Sequence, residues 1–119
     1  MSNSNNMWLT NLWIETIEEL NRHGLSENDV VWVGFRDIAT MLWEDFKTIA
    51  NDFNYHSGYG LEEVPLNLVV CGENWWLERG EYDGSEWWEF KTLPIMPTTV
   101  FTMNESHSRF YPSGVRYGE

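Results

Sequence analysis

The chain has 119 residues, of which 42% are hydrophobic and 16% aromatic, enough apolar material for one domain that folds without disulfides or metal ions. Nineteen acidic and seven basic residues give a net charge of −12, which opposes binding to nucleic acid or anionic membranes and favours basic partners. Cys71 is the only cysteine, so an intrachain disulfide is excluded. The chain begins without a signal-peptide pattern and has no stretch approaching the ~18 apolar residues of a membrane span, so we expect a cytoplasmic protein.

Two helices and a strand are predicted in the first half. Apolar residues recur at helical spacing over residues 7–23, and Gly24 follows where a helix-ending glycine belongs. The β-branched run over residues 30–33, which ends at Gly34, predicts a strand. A second helix, capped by Asp37, is predicted from apolar residues three or four positions apart: Ile38, Leu42, Phe46, Ile49 and Phe53.

The second half is dominated by a predicted β-hairpin over residues 73–92, ENWWLERGEYDGSEWWEFKT. Asp83-Gly84 favours a type I′ turn, in which both central residues need positive φ. With that turn, one face carries Trp75, Leu77, Trp88 and Phe90 as core residues, with Arg79 and Glu86 nearer the turn. The other face carries Trp76, Glu78, Tyr82, Trp87, Glu89 and Lys91. Glu78 then lies opposite Glu89, so this second face should remain exposed to solvent or bind a cationic partner. Trp76 and Lys91 lie opposite each other and are a candidate cation–π pair.

The remaining segments complete an α+β prediction. Residues 54–65 lack a regular period and connect the second helix to a strand predicted over residues 66–71. Pro94 and Pro97 end the hairpin, and residues 98–103 have the β character of a further strand. We therefore expect a single α+β domain over residues 1–103, with two helices on one face of an antiparallel sheet of four or five strands, and a polar tail over residues 104–119.

No constellation of catalytic residues is found. The three histidines, His23, His56 and His107, do not pair with Cys71 or with each other at metal-ligand spacing. The chain has no phosphate-binding loop and no nucleophile elbow. Glu78 and Glu89 beside Trp87 resemble the pair of carboxylates with which glycosidases flank a sugar stacked on an aromatic ring. An open sheet face, however, offers no cleft that would raise the pKa of one carboxylate so that it could act as an acid. We expect no enzyme activity, no metal and no cofactor.

The exposed hairpin face is instead predicted to bind a basic protein, with aromatic anchors and steering carboxylates. The predicted partner-binding residues are Trp76, Glu78, Tyr82, Trp87, Glu89, Glu73, Glu81 and Glu86. One alternative is a carbohydrate- or small-ligand-binding module that uses Trp76, Trp87 and Tyr82 with a secondary loop of Tyr55, His56 and Tyr59. Another is a structural homodimer formed through the edge or face of the hairpin; the protein is expected to be a monomer or a homodimer.

Three segments carry a family resemblance: WWLERGEYDGSEWWEFK, WEDFKTIANDFNYHSGYG and LNLVV. Together, over roughly residues 30–94, they resemble a family of small proteins encoded by bacteriophages and integrative elements of Gram-positive bacteria. The resemblance implies a context rather than an activity. Small acidic phage proteins of this kind are often inhibitors of host defence, including anti-CRISPR proteins, several of which mimic nucleic acid. It therefore predicts an inhibitor that occupies the basic groove of a nucleic-acid-binding effector in the bacterial host.

Overall fold

The computed structural model describes residues 9–58 and 60–100, which form two helices and seven strands. The helices are α1 (Leu12–Arg22) and α2 (Trp43–Asn51). The strands are β1 (Thr10–Asn11), β2 (Trp32–Phe35), β3 (Ala39–Met41), β4 (Asn54–Tyr55), β5 (Leu68–Cys71), β6 (Trp75–Tyr82) and β7 (Ser85–Thr92). Five strands form an antiparallel sheet in the order β3-β2-β5-β6-β7, and β1 pairs with β4. The α+β prediction is confirmed.

Both helices pack on one face of the five-stranded sheet, as predicted. The buried core between them includes Leu20, Val33 and Leu77. Trp88 Nε1 donates a 2.9 Å hydrogen bond to Thr16 Oγ1, which joins the last strand to the first helix. Neither helix, among residues 9–58 and 60–100, combines the length and apolarity needed to cross a bilayer.

The hairpin of β6 and β7 has the predicted register. Asp83 and Gly84 adopt φ values of 53° and 88°, as a type I′ turn requires. Glu78 pairs with Glu89 and Leu77 with Phe90, so every side chain falls on its predicted face. Trp75, Leu77 and Trp88 are buried, while Phe90 is half-buried.

The predicted start of the first helix is wrong. Thr10 and Asn11 pair with β4 as a short strand, and α1 begins at Leu12. Asn11 caps the helix, since its Oδ1 accepts a 3.0 Å hydrogen bond from the backbone N–H of Ile14. The predicted helix end is correct, because Gly24 has a φ of 74° directly after the last turn.

The predicted second helix is wrong over its first five residues, and it ends at Asn51, before Phe53. Asp37 does not cap it but lies at φ 64° in the turn between β2 and β3. Residues 39–41 pair with β2, where Gly34 lets the chain pass closely: a Cβ on Gly34 would lie 2.7 Å from Thr40 Cα. The helix therefore begins at Trp43, and Ile38 and Leu42 are 74% and 72% exposed instead of buried.

Smaller differences concern strand ends. β2 extends through Gly34 to Phe35, and β5 begins at Leu68 because the preceding turn is closed by a hydrogen bond from Leu68 N to Pro65 O. β7 ends before Pro94, as predicted. Residues 98–100 form no strand, while residues 101–103 and the predicted tail over 104–119 lie outside the described residues.

Candidate interaction surface on the sheet

The face of the sheet opposite the helices, here called the outer face, is built by strand alternation. Residues two apart on one strand share a face, and the pairing registers bring the four longer strands together. Its side chains are Trp32, Arg36, Val69, Cys71, Trp76, Glu78, Tyr82, Trp87, Glu89 and Lys91. Trp32 and Trp87 are each 37% exposed and Tyr82 is 77% exposed. Aromatic side chains that remain open to solvent on one sheet face are candidate contacts for a partner.

Two of the tryptophans are held in place by carboxylates. Trp76 Nε1 donates a 2.7 Å hydrogen bond to Glu78, and Trp87 Nε1 donates a 3.1 Å hydrogen bond to Glu89. Each carboxylate lies two residues further along the same strand and therefore on the same face. Trp87 also covers Gly80, since a Cβ there would lie 2.6 Å from Trp87 Nε1. The indole rings are thus fixed before any partner arrives.

The two opposed carboxylates each have a cation from the same chain. Arg36 Nη2 lies 3.0 Å from Glu78 Oε1, and Lys91 Nζ lies 3.6 Å from Glu89 Oε1. The hydrogen bond from Trp76, aided by Arg36, lowers the pKa of Glu78 below its ordinary value. Lys91 therefore pairs with Glu89 rather than serving as the predicted cation over Trp76. The middle of the outer face is aromatic and charge-balanced, not acidic as expected.

A shallow groove of about 230 Å³ lies between β2, β5 and β6 on this face. The groove is lined by Trp32, Arg36, Val69, Cys71, Trp76 and Glu78. Burial raises the pKa of the Cys71 thiol, which favours the unreactive protonated form. Trp32 and Arg36 were not among the predicted site residues.

The predicted acidic residues near the hairpin turn do not all belong to the outer face. Glu73 is exposed in the turn before β6, and Glu81 is exposed but shares the helix-facing register with Glu86. The assignment of Glu86 to the partner-binding surface is wrong, since it is only 2% exposed. Its carboxylate accepts hydrogen bonds from the backbone N–H groups of Glu63, at 2.7 Å, and Val64, at 3.2 Å. It therefore fixes a loop instead of meeting a partner.

The predicted secondary loop is likewise not assembled as a ligand site. Tyr55 is fully buried, because β4 pairs with β1 and directs the ring into the core. Its hydroxyl donates a 2.6 Å hydrogen bond to Glu15. His56 is half-buried next to it, and its backbone N–H donates a hydrogen bond to the Glu63 carboxylate. Tyr59 lies outside the described residues. Tyr55 is thus unavailable to a carbohydrate or small ligand.

Tyr55 instead belongs to a buried cluster centred on Arg79. The guanidinium is completely buried and lies 3.4 Å from Glu86 and 3.5 Å from Glu15. Its Nη2 donates a 2.8 Å hydrogen bond to the Tyr55 hydroxyl, and its centre lies 4.6 Å from the ring of Trp88. Burial raises the pKa of Glu15, although Arg79 opposes the shift. The cluster joins α1, β4 and both hairpin strands.

Within the described part of the chain, no group of three or more His, Cys, Asp or Glu side chains is placed to hold a metal ion. Comparison of the chain with protein-family models, curated proteins and solved structures found no match. The resemblance to phage-encoded proteins therefore stays a prediction, and the functional argument depends on the surface itself.

Proposed function

We propose that this protein is a non-enzymatic binding protein whose outer face docks on a basic partner protein. The observation that carries this proposal is the set of aromatic side chains held on the sheet face opposite the helices of a strongly acidic domain. Trp76 and Trp87 are fixed by hydrogen bonds to Glu78 and Glu89, and Trp32 lies across the groove from Trp76.

Fixed aromatic rings favour tight binding for two reasons. Tryptophan buries a large area when it enters a partner's pocket, and it is among the residues most enriched in binding hot spots. A ring that is already held in one orientation loses little conformational entropy on binding, which removes about 0.5–1.5 kcal/mol of the ordering cost for each side chain. The hydrogen bonds to Glu78 and Glu89 supply this preorganisation.

The charge distribution supports a basic partner. Residues 104–119 hold two acidic and two basic residues, so the excess of −12 lies entirely in the preceding part of the chain. On the outer face itself Glu78 and Glu89 are paired with cations, whereas Glu73, Glu81 and Asp83 around it are exposed. The acidic surroundings would steer a basic surface toward the face, and the aromatic residues would then provide the contact energy.

The partner class that fits this chemistry is a basic nucleic-acid-binding protein. Together with the resemblance to phage-encoded proteins, this favours an inhibitor, of the anti-CRISPR type, that occupies the nucleic-acid groove of a defence effector in the bacterial cytoplasm. A groove evolved for phosphates presents Lys and Arg, which complement a domain of this charge.

The test begins with the tagged full chain as bait in bacterial lysate, eluted by a salt gradient, and continues with the purified captured protein. Trp87→Ala should weaken binding at least ~10-fold, the loss typical of a hot-spot residue. Ile14→Ala is the matched control, because Ile14 is also an exposed apolar residue, 55% exposed, but lies on α1. Unchanged affinity of Trp87→Ala would refute the use of the outer face, and affinity that does not fall with salt would refute a basic partner.

A further inference from the structure

A second surface, separate from the outer face, is the free edge of the sheet at β7. β7 is the last strand in the order β3-β2-β5-β6-β7 and has eight residues, whereas β3 at the opposite edge has three. A long edge strand presents backbone N–H and C=O groups that can pair with another strand, and proteins usually cover or interrupt such an edge.

The hairpin register shows which backbone groups face outward. Tyr82 and Ser85 flank the two-residue turn and form the hydrogen-bonded pair nearest to it. Alternation then directs the N–H and C=O groups of Ser85, Trp87, Glu89 and Lys91 toward β6, and those of Glu86, Trp88, Phe90 and Thr92 outward. The N–H of Glu86 agrees with this assignment, since it donates to Ser57 O at 2.8 Å on the outward side.

The free stretch of the edge has definite ends. At one end the Glu86 N–H already donates a hydrogen bond to Ser57 O, and at the other end Pro94 has no N–H to donate. Between them, Trp88, Phe90 and Thr92 have no outward backbone partner among residues 9–58 and 60–100. Three consecutive outward positions can form one short antiparallel ladder.

We propose that this edge pairs with a second copy of the same chain, antiparallel and about a two-fold axis at Phe90. In this register Phe90 faces Phe90 of the second copy, and Trp88 faces Thr92 of the second copy, so all three outward positions form hydrogen-bonded pairs. The ladder ends beyond these three positions, because the Glu86 N–H already donates to Ser57 O and Pro94 has no N–H. The two sheets then join into one of ten strands.

Charge complementarity favours a second copy of the chain as the partner of β7, in the register centred on Phe90. With the axis at Phe90, Glu89 lies opposite Lys91 of the second copy, and the pair occurs twice by symmetry. An axis at Glu89 would place Glu89 against itself, and an axis at Lys91 would place Lys91 against itself. Both side chains are accessible for this exchange: in the single chain Lys91 and Glu89 are 44% and 36% exposed and 3.6 Å apart.

A charge-swap experiment on the full-length chain tests the proposal by sedimentation velocity at fixed ionic strength. The wild type should be a concentration-dependent dimer. Lys91→Glu and Glu89→Lys should each weaken dimerisation at least ~10-fold, because each places like charges opposite one another twice. An equimolar mixture of the two variants should form a heterodimer, and the double variant Glu89→Lys with Lys91→Glu should dimerise as the wild type does.

Amide hydrogen exchange gives a second readout with an internal control. In the dimer the amides of Trp88, Phe90 and Thr92 should be protected, and in monomeric Lys91→Glu they should exchange quickly. The amides of Trp87 and Glu89, which face β6, should remain protected in both. A wild type that is monomeric at its highest soluble concentration would overturn the proposal, as would a mixture of variants that stays monomeric. Protection of the outward amides in the Lys91→Glu monomer would also overturn it, since the edge would then be covered within the chain.

Discussion

Replacement of Arg79 by Met tests the role of the buried cluster most directly. The side chains of Arg79 and Glu86 are completely buried and that of Glu15 is 18% exposed, so loss of the guanidinium leaves two carboxylates without their shared cation. Removing one member of a buried ion pair typically costs about 3–5 kcal/mol. Glu86 keeps its hydrogen bonds from two backbone N–H groups, which places the expected loss near the lower limit, about 3 kcal/mol.

The loss is measured by urea unfolding at pH 7 and one protein concentration, monitored by tryptophan fluorescence. With a slope of about 1–3 kcal/mol/M, a loss of about 3 kcal/mol lowers the midpoint by about 1–3 M. Arg36→Met is the matched control, because its ion pair with Glu78 is exposed and should contribute at most about 1 kcal/mol. Arg79→Met together with Glu86→Gln should cost at least about 1 kcal/mol less than the sum of the single losses, because the two side chains interact directly. Equal losses in Arg79→Met and Arg36→Met would refute the reasoning, as would strict additivity.

Two further predictions concern backbone packing and pH. Gly34→Ala should destabilise the domain by about 1–3 kcal/mol in the same assay, because the new Cβ meets the backbone of Ala39 and Thr40 and cannot be relieved by a side-chain rotation; wild-type stability would show that β3 does not pack there. Burial raises the pKa of Glu15, so its contribution to stability is present below the unfolded pKa and is lost as the pH rises through the folded pKa. Glu15→Gln should therefore flatten the stability profile above the ordinary carboxylate pKa, and a profile that is unchanged there would contradict the raised pKa of Glu15.

The hairpin could be predicted from the sequence because its determinants are local. Asp83-Gly84 specifies the turn, the turn fixes the register, and the register places Trp88 inside and Trp87 outside. The second helix was mispredicted for the opposite reason. Ile38 and Leu42 continue the helical spacing of Phe46, but the pairing of β3 with β2 depends on tertiary packing at Gly34, which periodicity does not report.

The interaction surface was only partly predictable. Trp76 and Trp87 follow from the hairpin alternation, but Trp32 and Arg36 join them only because β2 lies beside β5, with Trp32 paired to Cys71. Strand order is not local information, so a sequence pattern could not place these residues. Glu86 was predicted on the core face and also assigned to the binding surface; burial beside Arg79 shows that the first assignment is the correct one.

The hydrogen bond between Thr16 and Trp88 spans 72 positions of the chain and has a consequence for folding during synthesis. α1 has eleven residues, too few to be stable alone. Trp13 can pack on Trp43 and Phe46 of α2 earlier, but the contact of α1 with Trp88 cannot form until the ribosome has produced β7. At ~5–20 residues per second that delay is about 4–15 s, during which the nascent chain exposes residues destined for the core. The hairpin requires closure of a loop of only two residues, so it can form as soon as both of its strands leave the ribosome. Stalled chains that end before residue 85 should therefore be protease-sensitive over α1, and chains long enough to release residue 92 from the ribosome should be protected.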